Sequence, residues 1–219
     1  REFAAEVMRR QQHDGTKFAM GRRVADLIGQ AVVEGVRLDD GTEIACDVFI
    51  EAIGSHANIE WLEGQDIDLS NGVVTNGNLN ARKATDGVWP DVYSIGDVAS
   101  FPNPIFDDIP RRVEHWNIPT ECAKYAGARI AAELAIAEGS TEAVVPAAAF
   151  APIPSFWSDQ FDMHILAFGL LALADEIRLI EGDINDDFVF GYYREGKMVG
   201  VAGVGMRSVV QGYRKAFEA

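Results

Sequence analysis

Cysteine is scarce. Cys46 and Cys122 are the only two, and they stand too far apart to form a Cys-x-x-Cys. A disulfide framework is therefore excluded, and two unlinked thiols suit a reducing, cytoplasmic setting. Positive charge is scarce as well. Nineteen Lys and Arg face 34 Asp and Glu, for a net charge of −15. A nucleic-acid partner needs a basic footprint, and an anionic membrane surface needs the same. No apolar run approaches the roughly 20 residues of a membrane helix. The opening stretch REFAAEVMRRQQ begins at Arg1 and is polar and amphipathic, unlike a secretory leader. His13, His56, His115 and His164 share no metal-ligand spacing with one another or with the cysteines. No nucleophile elbow, internal repeat or low-complexity tract is present.

What remains is an ordinary globular composition, 48% hydrophobic and 24% charged over 219 residues, enough chain for one large domain or two small ones. Three segments follow one another. Residues 1–61 open with a helix carrying Phe3, Val7 and Met8 on one stripe, stopped at His13-Asp14-Gly15. Strand-like runs follow at Thr16–Met20, Val24–Ile28, Ala31–Leu38 and Cys46–Ala52, the last continuing to Ile53-Gly54 as a buried strand. Asp39-Asp40-Gly41 reads as a hairpin turn.

Residues 62–143 contain a polar Gly/Asn loop at 70–80, then a turn at Trp89-Pro90-Asp91 leading into the strand Val92–Ile95. A helix capped by Asn117 tolerates Pro119 in its first turn and ends near Glu138-Gly139. Ala123, Gly127 and Ala131 give it a small-residue face for close packing, beside an apolar row of Cys122, Ala126 and Ile130. Residues 144–219 read as an antiparallel sheet (Phe156–Phe168, Ile177–Ile180, Phe188–Tyr193, Met198–Val204) with a terminal helix from Arg207. The fold expectation is thus α/β, as partial nucleotide-binding domains, followed by an α+β C-terminal domain.

The most informative motif is Asp91-Val92-Tyr93-Ser94-Ile95-Gly96-Asp97-Val98. A buried strand ending in Gly-Asp places a carboxylate at the carboxyl edge of a sheet, where ligands of open α/β folds bind. Gly96 permits close approach of a ligand to the backbone, and Asp97 can accept charge-assisted hydrogen bonds from sugar or ribose hydroxyls. A plain strand-to-turn cap explains the same residues equally well on physics alone.

The surrounding sequence resembles the FAD-dependent pyridine nucleotide-disulfide oxidoreductases, and within them the ferredoxin reductase branch of the putidaredoxin reductase and biphenyl dioxygenase ferredoxin reductase type. Carrying the resemblance are the run from Pro90 to Asp97 and the preceding Ile53-Gly54. So do Gly35–Thr42, Arg112-Val113-Glu114-His115-Trp116 and Phe156-Trp157-Ser158-Asp159-Gln160, all in the family's order. The resemblance implies that residues 1–61 end an NAD(H)-binding domain, residues 62–143 end an FAD-binding domain, and residues 144–219 form the C-terminal reductase domain. It assigns Gly54, Gly96, Asp97, His115 and Trp116 to cofactor binding, with Asp97 on the ribityl hydroxyls of FAD. It gives Glu114, near the nicotinamide, and Trp157, at the flavin edge, catalytic roles. The cofactors implied are FAD and NAD(P)H, and the partner a ferredoxin-type iron–sulfur protein. A homo-oligomer is left open.

The sequence also departs from that family. Neither Gly-x-Gly-x-x-Gly pyrophosphate loop is present. The nearest string, Gly203-Val204-Gly205-Met206-Arg207-Ser208, reads as a packing turn, and Asp183–Asp187 as a hairpin turn without the later ligands of a calcium loop. Where the family commonly shows Gly-x-x-Pro-Asn, this chain has Gly54-Ser55-His56-Ala57-Asn58. The expectation is therefore a C-terminal half, with Arg1 internal to a longer protein and the 219-residue chain inactive alone. Two other readings stay open: a reductase of a disulfide, a quinone or oxygen, and an assembly module without chemistry. The basic patch that an acidic iron–sulfur partner calls for would come from Arg22-Arg23 or Arg111-Arg112, or from outside this chain.

Overall fold

The structure is a computed structural model and describes residues 2–217. The chain forms two compact units, Arg1–His56 and Ala57–Ala219.

The first unit opens with α1 (Glu2–His13). Its one buried residue is Glu6, whose carboxylate is gripped by Arg9 at 2.6 and 2.7 Å and by Arg10 at 2.8 Å. These are i+3 and i+4 neighbours, so the helix supplies its own counter-charges. Phe3, Val7 and Met8 are partly buried beside it. The helix stops where expected, with the amides of Gly15 and Thr16 bonded back to Gln12 and Gln11. Strands β1 (Val24–Ile28), β2 (Gly35–Leu38) and β3 (Glu43–Ala45) make an antiparallel sheet in that order. The Asp39-Asp40-Gly41 turn joins β2 to β3 and sets Arg37 opposite Glu43, an ion pair at 3.0 Å.

Two expected strands are missing from this unit. Thr16–Met20 is irregular, and so is Cys46–Ala52, whose continuation leaves Val48, Ile50 and Ile53 exposed at 72%, 81% and 87%. Their β-branched side chains suit a strand. However, a strand needs a neighbour to take its N–H and C=O groups, and beyond the Cys46 amide, which bonds to the Glu34 carbonyl, no strand pairs with this segment among the described residues.

In the second unit, β4 (Val73–Val74), β7 (Ala99–Asn103) and β8 (Asp107–Arg112) form one sheet, with β4 parallel and β8 antiparallel to the central β7. A separate ribbon pairs β5 (Asn80–Arg82) with β6 (Val88–Tyr93). Strand β6 starts before Trp89-Pro90 rather than after it, and it is not buried: Val88, Trp89 and Val92 are all exposed. Membership of a two-stranded ribbon explains both facts, since an edge position tolerates a proline and leaves one face wet.

Helix α2 (Asn117–Ala137) ends as predicted, with Gly139 and Ser140 bonded back to Ile136 and Ala135. Its start differs from expectation. Asn117 is the first helical residue rather than a cap; its side chain donates to the Ile153 carbonyl at 3.0 Å and accepts the Ser155 amide at 3.2 Å. The packed face also differs. Ile118, Cys122 and Ala126 are buried, whereas Ala123, Gly127 and Ala131 are exposed, with nothing within 4 Å of an added Gly127 Cβ. Around the buried row stand Leu79, Ala99, Phe101, Val113 and Phe150. Phe101 and Phe150 meet edge to face at 5.0 Å, worth roughly 1 kcal/mol beyond their burial.

Five antiparallel strands close the chain in the order β11 (Glu176–Gly182), β12 (Phe188–Arg194), β13 (Lys197–Val204), β10 (Met163–Gly169), β9 (Ser155–Gln160). Phe156–Phe168 is a hairpin of two strands, turned at Phe161-Asp162 with Phe161 at φ +54°. The second hairpin turns at Glu195-Gly196 as read. Helix α3 (Arg207–Tyr213) lies on this sheet. Val210 is fully buried, and a Cβ on Gly203 would come within 2.6 Å of it. Gly205, at φ +64°, lies against the Asp187 carboxylate, so the glycine string is a packing turn. The mixed architecture, with its antiparallel sheets and terminal helix, matches the fold expectation.

The Arg9 and Arg10 contacts lower the Glu6 pKa from 4.5 to about 2. A depressed folded-state value stabilises above the unfolded pKa and loses that effect as pH falls through the folded one. Glu6→Gln is expected to reduce α1 helicity at pH 7, and the difference from the parent should vanish between pH 4.5 and 2. Circular dichroism against pH checks this.

Candidate functional site

Strand β6 ends at Tyr93. Ser94 is buried and its amide bonds to the Leu79 carbonyl at 3.0 Å. Ile95 is extended, and the chain then turns sharply through Gly96 at φ +73° into a single 3-10 turn, Gly96–Val98. Any residue with a Cβ would be strained at that φ. The turn rests on the start of α2. A Cβ on Gly96 would lie 3.8 Å from the Pro119 ring, and the Gly96 backbone hydrogen-bonds with the Cys122 thiol. Burial pushes that thiol's pKa up.

The result is a cavity of about 360 Å³ lined by Asp97, Glu114, His115, Trp116, Pro119 and Thr120. The Asp97 side chain is exposed and takes no hydrogen bond from another described residue. Its carbonyl accepts Nε of Arg112 at 2.9 Å. The same guanidinium pairs with the Glu114 carboxylate. His115 is half-buried, its ring 5.7 Å from that of Phe156, and its Nδ1 has no hydrogen-bond partner. Burial pushes the His115 pKa down, which favours the neutral imidazole. Trp116 is 84% exposed.

Chemically, this is a half-open cleft, mostly apolar in its lining but edged by charged and polar groups, at the N-terminus of a 21-residue helix. It offers an acceptor carboxylate, a half-buried imidazole, an aromatic face and the positive end of the helix dipole. Such a set can hold a ligand that carries hydroxyls and develops negative charge.

Of the residues singled out from sequence, Gly96, Asp97, Glu114, His115 and Trp116 come together here. Trp157 does not line the cavity. It sits on β9, 53% exposed and paired with Leu166, while its neighbour Phe156 reaches His115. Strand alternation sends the two side chains to opposite faces. Gly54 lies in the first unit, exposed, at φ +114°. Arg112, Pro119 and Thr120 were missed. A signal for Arg112 existed: Arg112 and Glu114 stand two apart in an extended stretch, where i and i+2 share a face. Two larger cavities, about 660 and 500 Å³, share Ile105 and Phe217 and contain none of these residues. Among the described residues no group of three or more His, Cys, Asp or Glu is placed to hold a metal, and no helix is long and apolar enough to cross a membrane.

A family model described as pyridine nucleotide-disulphide oxidoreductase matches residues 1–121, and one described as reductase C-terminal matches residues 155–219. The chain is similar to a probable ferredoxin reductase, CtmF, of Castellaniella defragrans, with 28% identity over 201 residues, covering 90% of this chain and 44% of that protein. It is also similar to a monodehydroascorbate reductase of Pisum sativum, with 31% identity over 176 residues, covering 77% of this chain and 36% of that protein. Among solved structures, a ferredoxin reductase from Rhodopseudomonas palustris superposes with a TM-score of 0.81 at 25% identity, covering 98% of this chain and 48% of that one. Putidaredoxin reductase, in its covalent complex with putidaredoxin, shares the fold with the same TM-score at 23% identity, covering 99% of this chain and 48% of that one. The chain therefore spans between about a third and a half of the length of these relatives.

Cys122 is buried under the Gly96 turn and Cys46 is only half-buried. In the native protein one thiol is expected to react promptly with an aromatic disulfide reagent, and the second only at the rate of unfolding. Two prompt equivalents would show that the turn does not seal Cys122.

Proposed function

This chain belongs to the pyridine nucleotide-disulphide oxidoreductase family, and from that premise we propose that it is the C-terminal half of a flavoprotein reductase passing electrons from NAD(P)H through FAD to a ferredoxin-type iron–sulfur protein. In this reading residues 1–61 complete an NAD(H)-binding domain, residues 62–143 an FAD-binding domain, and residues 144–219 the reductase domain. The observation that carries it is the convergence of Asp97, Glu114, His115 and Trp116 around the start of α2. The ferredoxin reductase relatives support it.

The residues fit one part of an FAD. The exposed carboxylate of Asp97 lines a cleft that the chain itself leaves open, and beside it the buried Nδ1 of His115 has no hydrogen-bond partner among the described residues. When bound, the flavin supplies the step between a two-electron hydride donor and one-electron acceptors. The chain's own part is binding and electrostatics. Asp97 accepts hydrogen bonds from the ribityl hydroxyls. The N-terminus of α2 presents partial positive charge to the ring system and favours its anionic, reduced state. His115 holds a polar contact without adding charge. Gly54 belongs to the same proposed cofactor-binding set. Glu114, held by Arg112, stands on the nicotinamide side, and Trp157 marks the exit toward the acceptor.

The likeness to monodehydroascorbate reductases supports a second reading, in which the acceptor is a small organic molecule instead of an iron–sulfur protein. NADH-driven reduction of a ferredoxin set against that of monodehydroascorbate, with the full-length flavoprotein, separates the two. The 219 residues alone contain neither glycine-rich pyrophosphate loop, so the isolated chain is expected to purify colourless and to show no NADH oxidation. In the full-length protein, Asp97→Asn is expected to weaken FAD binding about tenfold to a hundredfold, the usual worth of a charge-assisted hydrogen bond. Flavin fluorescence titration measures it.

A further inference from the structure

Arg112 stands out because it spends one guanidinium on two different parts of the cleft. Its Nε donates to the backbone carbonyl of Asp97 at 2.9 Å, while a terminal nitrogen pairs with the carboxylate of Glu114. The side chain is only 17% exposed. Its aliphatic stem lies along Gly72, where a Cβ would come within 2.8 Å of the arginine Cδ. The bare glycine therefore leaves the channel that the stem occupies. A lysine in that channel has a single point charge and no fork. It could reach one acceptor or the other, but it could not fix the two at a set angle.

The β7–β8 ladder, which pairs Ser100 with Arg112, brings Asp97 and Glu114 close, and the Arg112 side chain adds a direct tie between them. They belong to different elements, one in the turn after β6 and the other just beyond β8. The Asp97 peptide rests on the start of α2 through the Gly96–Val98 turn, and the Arg112 bond adds a second hold on it. Among the described residues, Arg112 donates a side-chain hydrogen bond to the Asp97 backbone.

We propose that Arg112 is the positioning residue of this site: it ties the Gly96–Val98 turn to Glu114, so that the hydroxyl-binding carboxylate of Asp97 and the carboxylate of Glu114 act on a bound flavin dinucleotide in one fixed register. This rests on the flavin reading of the cleft. With Nε and one terminal nitrogen engaged and the side chain only 17% exposed, Arg112 offers little to an acidic docking partner.

The test uses the full-length flavoprotein with three substitutions, Asp97→Asn, Arg112→Gln and Arg112→Lys. FAD affinity is measured by fluorescence titration, the visible spectrum of the bound flavin by absorption, and the fold of the flavin-free protein by its melting midpoint. The expected result is a loss of about tenfold in FAD affinity for Arg112→Gln. An altered flavin spectrum should accompany it, with a flavin-free midpoint close to the parent. Arg112→Lys should fall between the parent and Arg112→Gln, since it keeps the charge but loses the fork that reaches both acceptors. If Asp97→Asn weakens FAD and Arg112→Gln stays within about twofold of the parent, the positioning role is overturned and the flavin reading stands. If Arg112→Gln and Arg112→Lys are equally weak and both melt far below the parent, the residue is a structural strut and the proposal again fails. If Asp97→Asn leaves FAD affinity unchanged, the cleft does not hold the flavin, and the role given to Arg112 falls with that reading.

Discussion

The site depends on one packing contact, the seat of the Gly96–Val98 turn on the first two turns of α2. Ile118 and Cys122 are fully buried beneath it, and Pro119 closes its outer side. Everything polar in the cleft is arranged around that apolar seat. If the turn rose from the helix, Asp97 would lose its direction, Arg112 its acceptor and Cys122 its cover. The seat is in turn held by the same core that anchors the edge-to-face pair of Phe101 and Phe150. Close-packed interiors transmit such constraints because they have few empty spaces in which to relax.

Legibility from sequence followed the range of the interaction. The Glu195-Gly196 hairpin, the Asp39–Gly41 turn and the glycine stop of α2 are settled by neighbouring residues, and all three stand where they were read. The cluster of Gly96, Asp97, Glu114, His115 and Trp116 was legible too, because each lies next to an element end. What failed depended on distant partners. Asn117 looked like a cap, yet it is taken by Ile153 and Ser155 on a remote segment. The small-residue face of α2 looked like a packing surface, but the neighbouring row with Cys122 and Ala126 is the one covered. Cys46–Ala52 has the composition of a strand and no ladder to join. Composition cannot report whether a partner is present.

Charge is used unevenly. Arg111 and Arg112 are adjacent, yet alternation along β8 sends them to different carboxylates. Arg111 pairs with Asp107, which also takes Arg194 at 2.9 Å, and Arg112 pairs with Glu114. The Asp107 carboxyl is held well below the usual range, chiefly by Arg111. Arg22 is likewise paired, with Asp40 at 3.0 Å. The arginine pairs that looked from sequence like a docking patch are therefore largely spent on structure. An acidic chain with few cations commits them to fixing backbone geometry, where a planar fork does what a point charge cannot.

The exposed run through Val48, Ile50 and Ile53 has a consequence for how this chain behaves in a test tube. Unpaired β-branched residues are a template for edge-to-edge association between molecules, the first step toward an ordered aggregate. Opposing it is the net charge of −15, which makes each copy repel the next over a distance set by the salt. The colloidal stability of the chain is thus a contest between a short sticky segment and a long-range repulsion. Added salt shifts that contest toward the sticky segment.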